Sequence, residues 1–210
     1  MYFDDRHDAG RRLGAMLAGH VVAPHPAVLG LPRGGVPVAA EVAVALRGTL
    51  DVLVVRKLGV PGQEELAMGA VASGGAMVRN DDVIHAARVG EQELARIVER
   101  ERRVVAERDA RYRRGRPPVE VSGRDVIVVD DGLATGATMR VAVRALWQRD
   151  PARVVVAVPV GTRQVCRAVG QHADEVVCLY QPRELRGVGA WYRDFSPTGD
   201  DEVAELLRGS

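Results

Sequence analysis

The segment Val126-Ile127-Val128-Val129-Asp130-Asp131-Gly132-Leu133-Ala134-Thr135-Gly136-Ala137-Thr138 constrains the fold more than any other in this chain. Four consecutive β-formers with no polar alternation predict a strand buried on both faces, as in a parallel sheet lying between helices. Two adjacent carboxylates then follow at the strand's C-terminal end, where open α/β sheets place their ligands. Like charges side by side repel, so a purely structural turn has little use for them. They suit a ligand with neighbouring hydroxyls, or a bound cation. The Thr-Gly-Ala-Thr that follows opens a helix, and its free N–H groups, hydroxyls and dipole make an anion site.

The rest of the chain supports the same layered α/β reading, since apolar runs of strand length alternate with helical patterns. Helices are expected over 7–19, 39–46 (with Pro37 in the first turn), 137–147, 163–169 and 200–207. Strands are expected over 27–31, 51–55, 126–129, 154–158 and 175–179. Gly59, Pro61 and Gly62 mark a loop, and 67–73 a short strand or hairpin arm. A long helical stretch is expected over 82–114, interrupted at Gly90, with a narrow apolar stripe of Leu94, Ile97, Val98, Val104 and Val105.

At 210 residues the chain suits one α/β domain spanning 1–210, with 82–118 as a helical insertion and 180–210 as a C-terminal hood or tail. The net charge of +1 gives no general reason to expect nucleic acid or a membrane surface. Cys166 and Cys178 form no CxxC pair and have no histidine at metal-ligand spacing, so they read as buried thiols. With no leader pattern after Met1 and no stretch of membrane-spanning length, a cytoplasmic protein is expected.

Four apolar residues, two acids and Thr-Gly-x-Thr resemble the binding signature for 5-phosphoribosyl 1-diphosphate (PRPP) in type I phosphoribosyltransferases. The resemblance covers roughly 27–179 and implies a parallel-stranded, Rossmann-like sheet flanked by helices. It implies that Asp130 and Asp131 hold the ribose 2- and 3-hydroxyls and reach Mg²⁺ through water. It also implies that Ala134, Thr135, Gly136, Ala137 and Thr138 surround the 5-phosphate. Leu31-Pro32-Arg33-Gly34-Gly35 falls where these enzymes place a pyrophosphate-binding turn, which points to Arg33 and Gly34. Arg56-Lys57 follows the second expected strand, where the family opens a mobile loop over the diphosphate, and both cations are assigned to pyrophosphate and to catalysis. Transfer of 5-phosphoribose to a nitrogen acceptor such as a nucleobase is implied, with release of pyrophosphate by a homodimer.

The match departs from part of the family at Ala134. Members acting on 6-oxopurines carry an acid there, used for proton transfer to or from the base, and alanine cannot do this. The Ala-Thr-Gly order resembles the adenine-type enzymes, which leaves Glu64 or Glu65 as the candidate acid/base. Trp191 and Tyr192, grouped with Tyr180 and Phe195, suit stacking on a base or packing of the tail onto the sheet. Residues 100–116 hold eight arginines and three acids, which reads as a solvated face with internal ion pairs before it reads as a nucleic-acid site. The rival to an enzyme is a regulatory protein that binds PRPP without transfer and contacts nucleic acid or a protein through this helix.

Overall fold

The computed structural model describes residues 3–19 and 23–209. Its centre is a five-stranded, all-parallel sheet in the order β2-β1-β6-β7-β8. These strands are β1 (Ala27–Gly30), β2 (Thr49–Val52), β6 (Asp125–Val129), β7 (Arg153–Val160) and β8 (Glu175–Tyr180). Helices α1 (Arg6–Leu17), α2 (Gly35–Leu46), α5 (Ala137–Trp147), α6 (Arg163–Gly170) and α7 (Asp200–Arg208) flank it. The run 126–129 is buried on both faces as its composition requires. Ile127 and Val129 join one core with Leu13, Val28, Val36 and Val42, while Val126 and Val128 join the other with Leu29, Met139 and Val143.

The strand order reverses at one place. From β1 the chain crosses through α2 to β2 on one side, whereas β6 leads through α5 to β7 and then β8 on the other. Gly30 of β1 lies opposite Val129 of β6, so the turns leaving these two strands emerge side by side. Such a switch point is where open α/β sheets bind ligands.

Two expectations are corrected. The second strand ends at Val52, and the apolar run beyond it serves a second sheet: Val54 N–H donates to Ser73 Oγ, and β3 (Val55–Val60) begins at the next residue. Arg56 and Lys57 therefore lie inside a strand, and no loop begins there. The loop expected around 59–62 is a hairpin of β3 with β4 (Gln63–Ala72), extended by β5 (Met77–Arg79) into a three-stranded antiparallel sheet. Proline then glycine is the signature of a tight turn whose second central residue needs positive φ, and Gly62 has φ +76° between the paired Val60 and Gln63. Neighbouring turn chemistry outweighed the weak strand propensity of this polar stretch.

The long helical stretch comprises α3 (Asp81–Ala86) and α4 (Glu91–Arg113), interrupted before Glu91 at Gly90 as expected. Leu94, Val98 and Val105 are buried on the inner face of α4. Two charged residues are buried with them, Glu101 and Arg113, which the apolar stripe did not indicate. Among the described residues no helix is long and apolar enough to cross a membrane.

Candidate active site

Asp130 and Asp131 stand immediately after β6, facing the turn that leaves β1. That turn carries Gly34 and Gly35 because nothing larger fits beside the acids. A Cβ on Gly34 would overlap Asp131 Oδ2, and one on Gly35 would lie 2.7 Å from Val129 O and 2.9 Å from Asp130 Cα. The Gly-Gly pair thus makes room for the carboxylates. The Pro32–Arg33 peptide is cis.

The two acids are supplied unequally with partners. Asp131 N–H donates to Asp130 Oδ1 at 2.9 Å, and Asp130 has no ion pair among the described residues. Asp131 accepts a hydrogen bond from Arg6 Nε at 2.9 Å, and Tyr192 Oη donates to its backbone carbonyl at 2.6 Å. Burial, then the neighbouring Asp131 charge, pushes the Asp130 carboxyl well above the ordinary range. Burial also raises Asp131, opposed by the Arg6 guanidinium. Ionisation of Asp130 is therefore costly until a cation or hydroxyl donors arrive.

On the other side of the acids, Leu133 N–H donates to Val160 O and fixes the loop against β7. Gly136, at φ +68°, is the N-cap of α5. Ala134, Thr135 and Thr138 are exposed around the opening. Ala137 N–H reaches Thr135 Oγ1 at 3.3 Å, and the helix ladder first closes at Arg140 N–H to Gly136 O. The first-turn N–H groups consequently point towards the place where an anion would sit. Arg140, which the sequence reading passed over, donates from Nη1 to Thr135 O at 3.2 Å and adds a cation to this loop.

The other candidate residues fall into two cavities. One, of about 670 Å³, lies between the β3–β4 hairpin and α4, and brings Arg56, Lys57 and Glu64 together with Thr138 of the helix-opening loop. Here Glu101 of α4, only 5% exposed, accepts from Arg56 Nε and from Arg100 Nε, each at 2.9 Å. Burial works against its ionisation, but the hydrogen bonds and charges of Arg56 and Arg100 overcome this and lower its pKa. Nothing in the sequence paired these residues, because Glu101 sits in a run where acids are outnumbered. The side chain of Glu65 lies outside the described residues.

Arg33 lines the second cavity, about 640 Å³, with Arg108, Arg111, Tyr112 and Asp200. The structure thus separates Arg33 from the cavity that holds Arg56 and Lys57. Tyr192 is 7% exposed and packs against Phe3 at 5.2 Å, so its ring holds the C-terminal segment to the N-terminal one. Trp191 stacks on Tyr180 at 5.7 Å and is half-buried.

The basic run of α4 is largely a set of fasteners. Arg111 and Arg114 bind Asp200 and Asp201 at the start of α7, Arg103 binds Glu99 one turn back, and Arg113 binds Asp51 and Asp109. With Arg100 on Glu101, half of these pairs are internal to the helix, as expected, and half reach β2 and α7. Cys166 and Cys178 are free thiols, and among the described residues no cluster of His, Cys, Asp and Glu could hold a metal ion.

Set against known proteins, residues 7–181 match the family model of the phosphoribosyl transferase domain. A Mycobacterium tuberculosis protein named "Putative phosphoribosyl transferase", present in two strains, is 48% identical over 209 residues, 98% of this chain. The chain spans 46%, about half, of the length of that relative. The protein TT1426 from Thermus thermophilus superposes with a TM-score of 0.88 at 46% identity, over 99% of this chain and 98% of that one. The purine phosphoribosyltransferase from Pyrococcus horikoshii shares the fold, with a TM-score of 0.50 and 13% identity over 92% of this chain and 90% of that one.

Proposed function

The chain belongs to the phosphoribosyltransferase family, and from that premise we propose that it transfers 5-phosphoribose from PRPP to a nitrogen acceptor, releasing pyrophosphate. One observation carries the reading: a half-buried acid pair stands at the switch point of the sheet and runs directly into a helix-opening loop with free N–H groups. In this reading Asp130 and Asp131 accept hydrogen bonds from the ribose hydroxyls, and the N–H groups and hydroxyls of 135–138 hold the 5-phosphate. As the bond to the diphosphate breaks, positive charge develops on the sugar ring. Preoriented carboxylates stabilise that charge more than they stabilise the substrate.

The acid pair also suits a hard cation. Two carboxylates, one of them short of positive partners, cannot cage an ion alone, but they complete a shell in which PRPP oxygens and water are the main ligands. Magnesium bound in this way would offset the charge of the diphosphate. Lys57, and Arg56 held beside it by Glu101, would face the departing diphosphate from the hairpin.

Because Ala134 offers no proton-transfer group, the acceptor is proposed to be adenine or a non-purine base, with Glu64 as the candidate acid/base. A panel of nucleobases assayed for PRPP-dependent pyrophosphate release tests this. Adenine or a non-purine base should be turned over and hypoxanthine poorly, and efficient turnover of hypoxanthine would overturn the acceptor assignment.

A further inference from the structure

Arg6 opens α1, one residue after the N-cap Asp5, and the sequence gives no hint that it reaches the acid pair. Its side chain is held at three points. Nε donates to Asp131 Oδ2 at 2.9 Å, Nη1 donates to Ser196 O at 2.8 Å, and the guanidinium lies 3.9 Å from the centre of the Phe195 ring. Only 11% of the side chain is exposed, against 16% for Asp131. Gly34 lies against the same oxygen: a Cβ there would overlap Asp131 Oδ2 and come within 3.1 Å of Arg6 Nε. Only glycine at 34 leaves room for this contact, and Oδ2 is thereby held by a fixed cation. Among the described residues Arg6 is the one side chain that hydrogen-bonds the Asp131 carboxylate.

A strap between the two ends of the chain would not require this arrangement. Phe3 already pairs with Tyr192 as a β-bridge, Phe3 N–H donates to Trp191 O, and Arg193 and Asp194 N–H donate back to Phe3 and Asp4 carbonyls. The Arg6 guanidinium is instead spent on the acid that bears the functional reading, in a recess that keeps the pair from being solvated apart.

We infer that Arg6 is a positioning residue for the sugar site: it fixes the orientation of Asp131 and offsets part of the charge of the acid pair, so that a sugar phosphate can approach two adjacent carboxylates. This inference rests on the PRPP reading above. Its ligand class is the ribose portion of a sugar phosphate, not the diphosphate, which gives the test its discrimination.

Calorimetry would compare the unsubstituted protein, Arg6→Met and Arg6→Lys against PRPP, ribose 5-phosphate and inorganic pyrophosphate, with melting temperature recorded for each. Arg6→Met should weaken PRPP and ribose 5-phosphate by about tenfold or more while leaving pyrophosphate within about twofold. Arg6→Lys, which keeps the charge but not the fork, should recover much of the loss. Equal PRPP affinity in Arg6→Met would overturn the inference, as would a loss shared by all three ligands without rescue by lysine. Should Arg6→Met fail to fold, Arg6→Gln takes its place: a selective loss for the two ribose ligands supports the inference, and no change overturns it. Failure of the unsubstituted protein to bind PRPP would instead overturn the functional reading, and this inference with it.

Discussion

Asp51 in β2 and the Asp130–Asp131 pair after β6 are carboxylates withdrawn from water by the same parallel sheet, and they differ in how much positive charge and N–H their surroundings supply. Asp51, 4% exposed, accepts from Arg113 Nε through both oxygens, at 2.9 and 3.2 Å, and from Val52 and Val119 N–H at 2.8 Å each. Arg113 in turn donates to Val52 O and binds Asp109, which accepts from Ser73 Oγ. Every charge in that cluster has a partner supplied by the fold. At the acid pair, among the described residues, one arginine pairs with Asp131 and Asp130 accepts from a single N–H. Buried charge that the fold completes holds elements together. Buried charge that it leaves incomplete is poised to be completed by a ligand.

Breaking each cluster should therefore read out in a different assay. The largest effect is expected from Asp130→Asn/Asp131→Asn, which removes charged acceptors from two hydroxyls. PRPP affinity should fall by about 3–6 kcal/mol, more than roughly a hundredfold, on the scale of hydrogen bonds to charged groups. Unchanged PRPP affinity measured by calorimetry would sink the sugar-site assignment.

Arg113→Ala comes next, and its loss should appear in stability instead. Leaving Asp51 buried without its cation should cost about 3–5 kcal/mol in denaturant unfolding. PRPP affinity of the folded fraction should stay within about twofold, and a comparable loss of affinity would show that the two clusters are not separate.

Lys57→Ala should lower kcat by roughly a hundredfold with a smaller change in PRPP affinity, as removal of a preorganised donor to developing charge does. An exposed lysine with no part in the reaction would leave both parameters nearly unchanged. Pyrophosphate exchange into PRPP serves as the assay until an acceptor is identified.

The smallest effect is the most diagnostic of an incomplete cluster. The Asp130 carboxyl sits well above its ordinary 3.8 in the folded protein, so the folded state holds its proton over a range where the unfolded chain has released it. Its contribution to stability is therefore fully present below the unfolded pKa and is lost as pH rises towards the folded one. Asp130→Asn, which keeps an oxygen for the Asp131 N–H, should raise the melting temperature of the ligand-free protein in magnesium-free buffer. The gain should be present at neutral pH and vanish in acid. A lower melting temperature at neutral pH would mean that the ionised carboxylate is already fully compensated.

Legibility followed sequence separation. Strand β6, its two acids and the helix-opening loop were readable because 126–138 brings them together through chain connectivity alone. The interruption of the helical stretch at Gly90 was readable for the same reason, since capping is local. The far arm of the β3–β4 hairpin was readable at 67–73, but its turn and near arm were read as a loop, because Arg56 to Gly59 and Gln63 to Glu65 lack an alternating apolar pattern. Glu101 with Arg56, and Arg113 with Asp51, were not readable: 45 and 62 residues separate the partners.

By itself the sequence determined the layered architecture, the strand whose end carries the acids, and the helix-opening loop that follows, since burial patterns and caps act over a few residues. The tertiary structure alone decided which arginine meets which acid. Arg6 and Asp131 lie 125 residues apart, and it is the parallel pairing of β1 with β6, the packing of α1 on α2 and the return of the C-terminal segment beside Phe3 that bring them into contact. A charge carries no directional code along the chain, so its partner is fixed only when strand register and helix packing place two particular side chains within reach.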